Sequence, residues 1–139
     1  MDIKNQTIQL LKNENLTLVL ANGETLIKSD KRGVRPLLDL YENGDNVCGF
    51  FACDKVVGKG AAVLYALLKI KSVYAVTVSK KALDFLEKHG IECEYEILTD
   101  RILNRDKTGF CPIESAVDNV DGLEDGLRKI YSALEKLKK

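Results

Sequence analysis

The chain has 139 residues, 45% of them hydrophobic and 30% charged, with 21 Lys plus Arg set against 21 Asp plus Glu. That length fits one domain, whose folding withdraws roughly 68–70% of the unfolded chain's surface from water, and the composition is ordinary for a globular protein. Balanced charge offers no field to gather nucleic acid, which makes it an unfavoured partner, and no run approaches the ~20 apolar residues that cross a bilayer.

The start, Met1-Asp2-Ile3-Lys4-Asn5-Gln6, has no apolar signal-peptide core. The four cysteines, Cys48, Cys53, Cys93 and Cys111, are dispersed and form no CxxC pair. Reduced thiols in a cytoplasmic protein are therefore expected, with no metal cluster and no cofactor. Core packing is the plain reading of Cys48, Cys53 and Cys93, because free Cys is among the most buried residue types.

Along the chain, Ile3, Ile8, Leu10 and Leu11 among polar residues predict a short amphipathic helix over 3–12. An apolar strand over 16–20 follows, then the Asn22-Gly23 signal of a tight hairpin turn and a second strand over 25–28. Val34, Leu37, Leu38 and Tyr41 recur at helical spacing, with Pro36 tolerated in the first turn, and that helix ends near Asn43-Gly44. The continuous apolar run 47–53 reads as a central strand buried on both faces. Residues 56–68 read as a helix so apolar that it must be covered on more than one side. A strand over 73–78, an amphipathic helix over 80–89 ended by Gly90, and an alternating strand over 91–97 complete the regular part.

The last third differs. Residues 98–110 are polar and irregular, Cys111-Pro112-Ile113-Glu114 opens a short helix to about 119, and Leu123, Leu127, Ile130, Leu134 and Leu137 form one stripe on a final helix. The whole predicts one α/β domain, 1–139, in three α-β-α layers. Its mixed five-stranded sheet has an N-terminal β-hairpin, and a helical extension begins at about 111.

Two clusters carry the chemistry. Cys53-Asp54-Lys55-Val56-Val57-Gly58-Lys59-Gly60 spans a strand-to-helix junction, where open α/β folds keep their ligands. Two helix N-termini, near Arg35 and Val56, are expected at one sheet edge, and Arg32, Arg35, Lys55 and Lys59 would make it a receptor for an anionic small molecule. The plainer alternative makes Asp54 an N-cap and the lysines a solvated helix face. Val57-Gly58-Lys59-Gly60 is no P-loop, which needs an earlier glycine and a following Ser or Thr; Gly58 and Gly60 instead suggest close approach of another element or a ligand.

The second cluster is Arg105-Asp106-Lys107-Thr108-Gly109-Phe110-Cys111-Pro112-Ile113-Glu114. Cys111 at a helix N-cap, with Pro112 behind it and Arg105 near, would have a lowered pKa, and buried packing is the alternative. Glu114 suits either a capping box or acid/base work. If this segment folds back over the first cluster, Asp54, Lys55, Cys111 and Glu114 form a catalytic set, with Arg35, Gly58, Lys59, Arg105 and Asp106 holding the ligand. No Ser–His–Asp or Cys–His set can be assembled.

The element order resembles the cytidine-deaminase-like fold. Asp54-Lys55-Val56-Val57-Gly58-Lys59 and Asn104-Arg105-Asp106-x-Thr108-Gly109-x-Cys111-Pro112-x-Glu114 make the chain look like the domain of unknown function 1893 family. The resemblance implies a fold and no activity. Zinc deaminases carry His-x-Glu or Cys-x-Glu at one helix start and Pro-Cys-x-x-Cys at the next. Here those positions read Arg32-Gly33-Val34-Arg35-Pro36 and Cys53-Asp54-Lys55-Val56-Val57-Gly58, so zinc-dependent deamination is rejected. His89, before Gly90, reads as a surface residue. Three functions stay open: a zinc-independent enzyme or binder for a nucleotide-like or other anionic molecule, a non-catalytic ligand-binding or regulatory module, and a homo-oligomeric interaction protein built through the 56–68 helix.

Overall fold

The computed structural model describes residues 3–31, 33–100 and 112–137. In chain order these form α1 (Ile3–Asn13), β1 (Leu18–Ala21), β2 (Leu26–Ser29), α2 (Arg35–Asn43), β3 (Phe51–Val57), α3 (Lys59–Leu68), β4 (Ser72–Ser79), α4 (Lys80–Lys88), β5 (Glu92–Thr99), α5 (Pro112–Val117) and α6 (Leu123–Leu137). The sheet order is β2-β1-β3-β4-β5. The hairpin β1–β2 is antiparallel and β1 runs antiparallel to β3, while β3, β4 and β5 run parallel.

The hairpin turns where its residues allow it. Asn22 Oδ1 accepts the N–H groups of Glu24 at 2.9 Å and Thr25 at 2.7 Å, and Gly23 takes φ +96°, which costs a glycine little. The helix α2 has Pro36 in its first turn and stops at Gly44, left-handed at φ 72°, whose N–H returns to the Leu40 and Tyr41 carbonyls. Ser79 caps α4, its Oγ accepting the Ala82 N–H at 3.2 Å.

The central strand lies further along the chain than its apolar run suggests. Asn46 Oδ1 accepts the Cys48 N–H, and Gly49 sits at φ +82° with its N–H on the Lys69 carbonyl at 2.8 Å, so residues 47–50 form a turn. Extension begins at Phe51 and continues through the β-branched pair Val56-Val57, which lie beside Thr77 and Val78 of β4. The following helix therefore starts at Lys59, not at Val56. Asp54 is a strand residue and not its N-cap.

Two cores face away from the sheet. Under α1, Leu11, Val19 and Cys53 cluster with Tyr74 and Val76 beside them. On the other face Leu18, Leu20, Ala52, Val73 and Ala75 meet α2, α3 and α4, and residues of α5 and α6 join the same cluster. Both core-facing rows then step by three, from Asp54 to Val57 and from Ala75 to Val78, so β3 and β4 change face together near their C-terminal ends.

The apolar α3 is surrounded inside its own chain. Contacts from the sheet and from α2, α4, α5 and α6 bury Ala61, Ala62, Val63, Leu64 and Tyr65, which removes this helix as a surface for a second copy. Gly126 of α6 lies so close to Val63 that an added Cβ would fall 2.9 Å from its methyl. Ile130 of α6 is fully buried in this core. Ile130→Ala is expected to destabilise the fold by about 2–5 kcal/mol, as large-to-small core changes do. The urea midpoint should fall with the slope unchanged.

Candidate functional site

An α-helix begins with N–H groups that have no partner inside it. Gly58 stands at the N-cap of α3 with extended backbone, φ −97° and ψ 179°, and has no side chain to offer them. The partner comes from 55 residues away: Glu114 of α5 accepts the Lys59 N–H at 2.6 Å through Oε1 and the Gly60 N–H at 2.9 Å through Oε2. A carboxylate at a helix N-terminus is favoured both by these bonds and by the dipole.

The Gly58-Lys59-Gly60 run is shaped around that contact. A Cβ on Gly58 would fall 2.3 Å from the Glu114 carboxyl carbon, and one on Gly60 would fall 2.6 Å from an Ile113 methyl. The Lys59 side chain is buried; its ammonium donates to the Asp118 carbonyl at 3.1 Å and lies over the Phe85 ring at 5.8 Å. Lys81 reaches the Asp118 carboxylate at 2.6 Å. Burial lowers the Lys59 pKa and raises that of Glu114, although the two backbone N–H bonds pull the latter back. Val34 lies 3.6 Å from the Gly60 Cβ position, so the starts of α2 and α3 do share one sheet edge.

Asp54 forms a second, separate feature. Its Oδ2 accepts the Tyr65 hydroxyl at 2.5 Å and its Oδ1 accepts the Val56 N–H at 3.3 Å, all within the interface between β3 and α3. Burial pushes the Asp54 carboxyl up to about 7 and Tyr65 well above its ordinary value. Cys53, next in the strand, points the other way under α1, where burial and then the Asp54 charge raise its thiol to about 12.

The remaining candidates are distributed. Lys55 is exposed on β3. Arg35 is engaged at the surface, its Nε on Asp39 at 2.8 Å and a terminal nitrogen on Glu42, and the Asp39 bond leads in raising its pKa. Arg32, Arg105, Asp106 and Cys111 lie outside the described residues. Thus Gly58, Lys59 and Glu114 come together, Asp54 pairs with Tyr65 inside the fold, and Lys55 and Arg35 stand apart on the surface. Tyr65 and Asp118 complete the two features and went unread in the sequence. Tyr65 had a signal, since a phenol on an otherwise aliphatic buried helix must find an acceptor.

A catalytic zinc needs three protein ligands around an open position. Among the described residues no three His, Cys, Asp or Glu side chains group to hold a metal ion. Cys53 lies within β3 and faces α1, six residues before α3 begins, and His89 packs on Phe85 with ring centroids 4.4 Å apart. Among the described residues the donor set does not fit zinc. What the start of α3 holds instead is two backbone N–H groups bonded to the half-buried Glu114 carboxylate.

The model of the family described as a domain of unknown function, DUF1893, matches residues 6–137. The crystal structure of a DUF1893 family protein from Thermotoga maritima is similar, with a TM-score of 0.86 and 26% identity over 95% of this chain and 91% of that one. The dCMP deaminase of the cyanophage S-TIM5 in its apo form reaches a TM-score of 0.50 at 12% identity, over 68% of this chain and 99% of that one, which shows the shared fold. No curated protein matches. Among the described residues no helix is long and apolar enough to cross a membrane.

Loss of the Glu114 carboxylate should cost what loss of a cap costs, about 0.5–2 kcal/mol in Glu114→Ala. Gly58→Ala should cost a similar amount, because its methyl displaces the same carboxylate. The double variant should be little worse than either single one, which a thermodynamic cycle from urea unfolding measures as coupling. The carboxyl of Asp54 generates a pH dependence. Its folded pKa, about 7, exceeds its ordinary 3.8, so across that window the folded state holds a proton the unfolded state lacks. Stability contributed this way is full below about pH 4 and is lost as pH rises through 7. Asp54→Asn should flatten the part of the slope between pH 4 and 7 that wild type shows beyond the contribution of Glu114, and unfolding midpoints measured across that range check it.

Proposed function

The chain belongs to the DUF1893 family, and we propose that it is a ligand-binding module on a deaminase-like fold, taking a small anionic molecule where α3 begins. The observation that supports this reading is the Glu114 carboxylate on the N–H groups of Lys59 and Gly60. Donors that hold a carboxylate from another element will hold the carboxylate or phosphate of a ligand by the same bonds and the same dipole. Gly58 leaves the backbone open to close approach. Glu114 is then the internal competitor, and its raised pKa eases its release.

Around this centre we assign Lys59 as the nearby cation, while Arg35 and Lys55 stand apart on the surface. A nucleotide-like ligand would present its phosphate to the α3 start. The catalytic reading, in which Asp54, Lys55, Cys111 and Glu114 act as one set, has less support. The Asp54 carboxyl is bonded to Tyr65 and that of Glu114 to α3. A reducing, cytoplasmic setting suits Cys48, Cys53 and Cys93, which are all free thiols.

The test is anion rescue. Glu114→Ala should melt below wild type, and inorganic phosphate or a nucleoside phosphate should restore part of the loss in a concentration-dependent way, since a ligand bound only to the folded state stabilises it by mass action. The shift in wild type should be smaller because Glu114 competes. Equal response of both proteins, or none in either, would overturn the assignment, and turnover of a nucleotide by wild type would favour the catalytic reading instead.

A further inference from the structure

The parallel strands β3 and β4 end side by side, and each hands over to a helix there, α3 from Lys59 and α4 from Lys80. Open α/β sheets keep their ligands beyond the carboxyl ends of such strands. Here the chain brings two acids of its own to that place. Glu114 of α5 takes the first N–H groups of α3. Asp118, four residues on and just past the end of α5, takes the α4 side: Lys81 donates to its carboxylate at 2.6 Å and to its carbonyl at 3.3 Å. Lys59 belongs to both contacts, its backbone N–H on Glu114 and its ammonium on the Asp118 carbonyl.

The cations at this edge depend on those acids. Lys59 is 7% exposed, and among the described residues its ammonium meets a carbonyl and the Phe85 ring, not a carboxylate. Lys81 and Lys88 act against its charge, and the groups that offset them, Asp118 and Asp121, both come from the connection between α5 and α6. A buried ammonium among like charges calls for an anion beside it. With the Glu114 and Asp118 carboxylates gone, the edge would present two N–H groups without an acceptor and two ammonium groups, Lys59 and Lys81. The spacing of what it holds is set by the helix: side chains four residues apart stand about 5–6 Å from each other at Cβ.

We propose that the ligand of this edge carries two acidic groups about one helical turn apart, the first on the Lys59 and Gly60 N–H groups and the second on Lys81 beside Lys59. Glu114 and Asp118 hold the two places in its absence. This rests on the ligand reading above and adds the class of ligand, a molecule with two carboxylates or two phosphates. In Glu114→Ala/Asp118→Asn both internal carboxylates are gone, and its melting temperature is followed at equal ionic strength against glutarate, with two carboxylates, and acetate, with one. Glutarate should act at a concentration about tenfold or more below acetate, as linked groups do. Adding Lys81→Ala, a change at a half-exposed side chain, should bring glutarate to the level of acetate and leave acetate unchanged. Where the double variant melts too low to titrate, Glu114→Ala alone reads the same comparison through the Lys59 and Gly60 amide signals in NMR spectra. A nucleoside diphosphate titrated in parallel tells phosphate from carboxylate as the acid. Stabilisation by acetate with no advantage for glutarate or the diphosphate, or an advantage that survives Lys81→Ala, would overturn this inference and leave a site for a single anion. No response to any of the three overturns both readings.

Discussion

The start of α3 needs an acceptor that its own residues do not supply, and much of the molecule is arranged around the carboxylate that supplies it. Glu114 reaches the Lys59 and Gly60 N–H groups only because Gly58 has no Cβ, because Gly60 admits Ile113, and because α5 is carried to that spot. The buried Lys59 ammonium then fastens the turn after α5 through the Asp118 carbonyl. With α5 held there, α6 lies along the outer side of α3 and closes the core with Ile130 and Ala133. A helix covered over most of its surface, as α3 is with only Ala66 and Leu67 partly exposed, can be this apolar.

Burial also decides the character of the polar groups. Asp54 and Tyr65 sit where neither would be tolerated alone, since a buried carboxylate or phenol without a partner is costly. Paired at 2.5 Å they satisfy one another, and burial keeps the carboxyl protonated to about pH 7. The deaminase-like fold thus keeps its usual edge, with two helix starts side by side, but furnishes it with backbone donors and an internal carboxylate. The Cys53 thiol is turned to the opposite core.

Much of this was legible in local pattern. Asn22-Gly23, Gly44 and Gly90 mark turns and helix ends because left-handed or tight backbone selects those residues. The stripe of α6 and the amphipathic spacing of α4 gave their buried faces, and the number and order of strands followed from apolar runs between them. The error at residues 47–57 has a clear cause. An apolar run does not show where extension starts, and Gly49 with the Asn46 side chain bends the first half of it into a turn that leaves Cys48 exposed and not packed in the core. That displacement moved Asp54 from a helix cap to the middle of a strand.

The sequence by itself determined the class of fold, the order of its elements, and the two segments where chemistry would gather, because residue period and backbone preference act over a few positions. It also showed that the zinc ligands of a deaminase are missing. Which groups in those segments meet was decided by tertiary structure. Glu114 could cap its own helix or another's, and Lys59 could be solvated or buried; nothing local distinguishes the options. Only the packing of α5 against α3, across 55 positions of chain, placed the carboxylate on the glycine-flanked helix start.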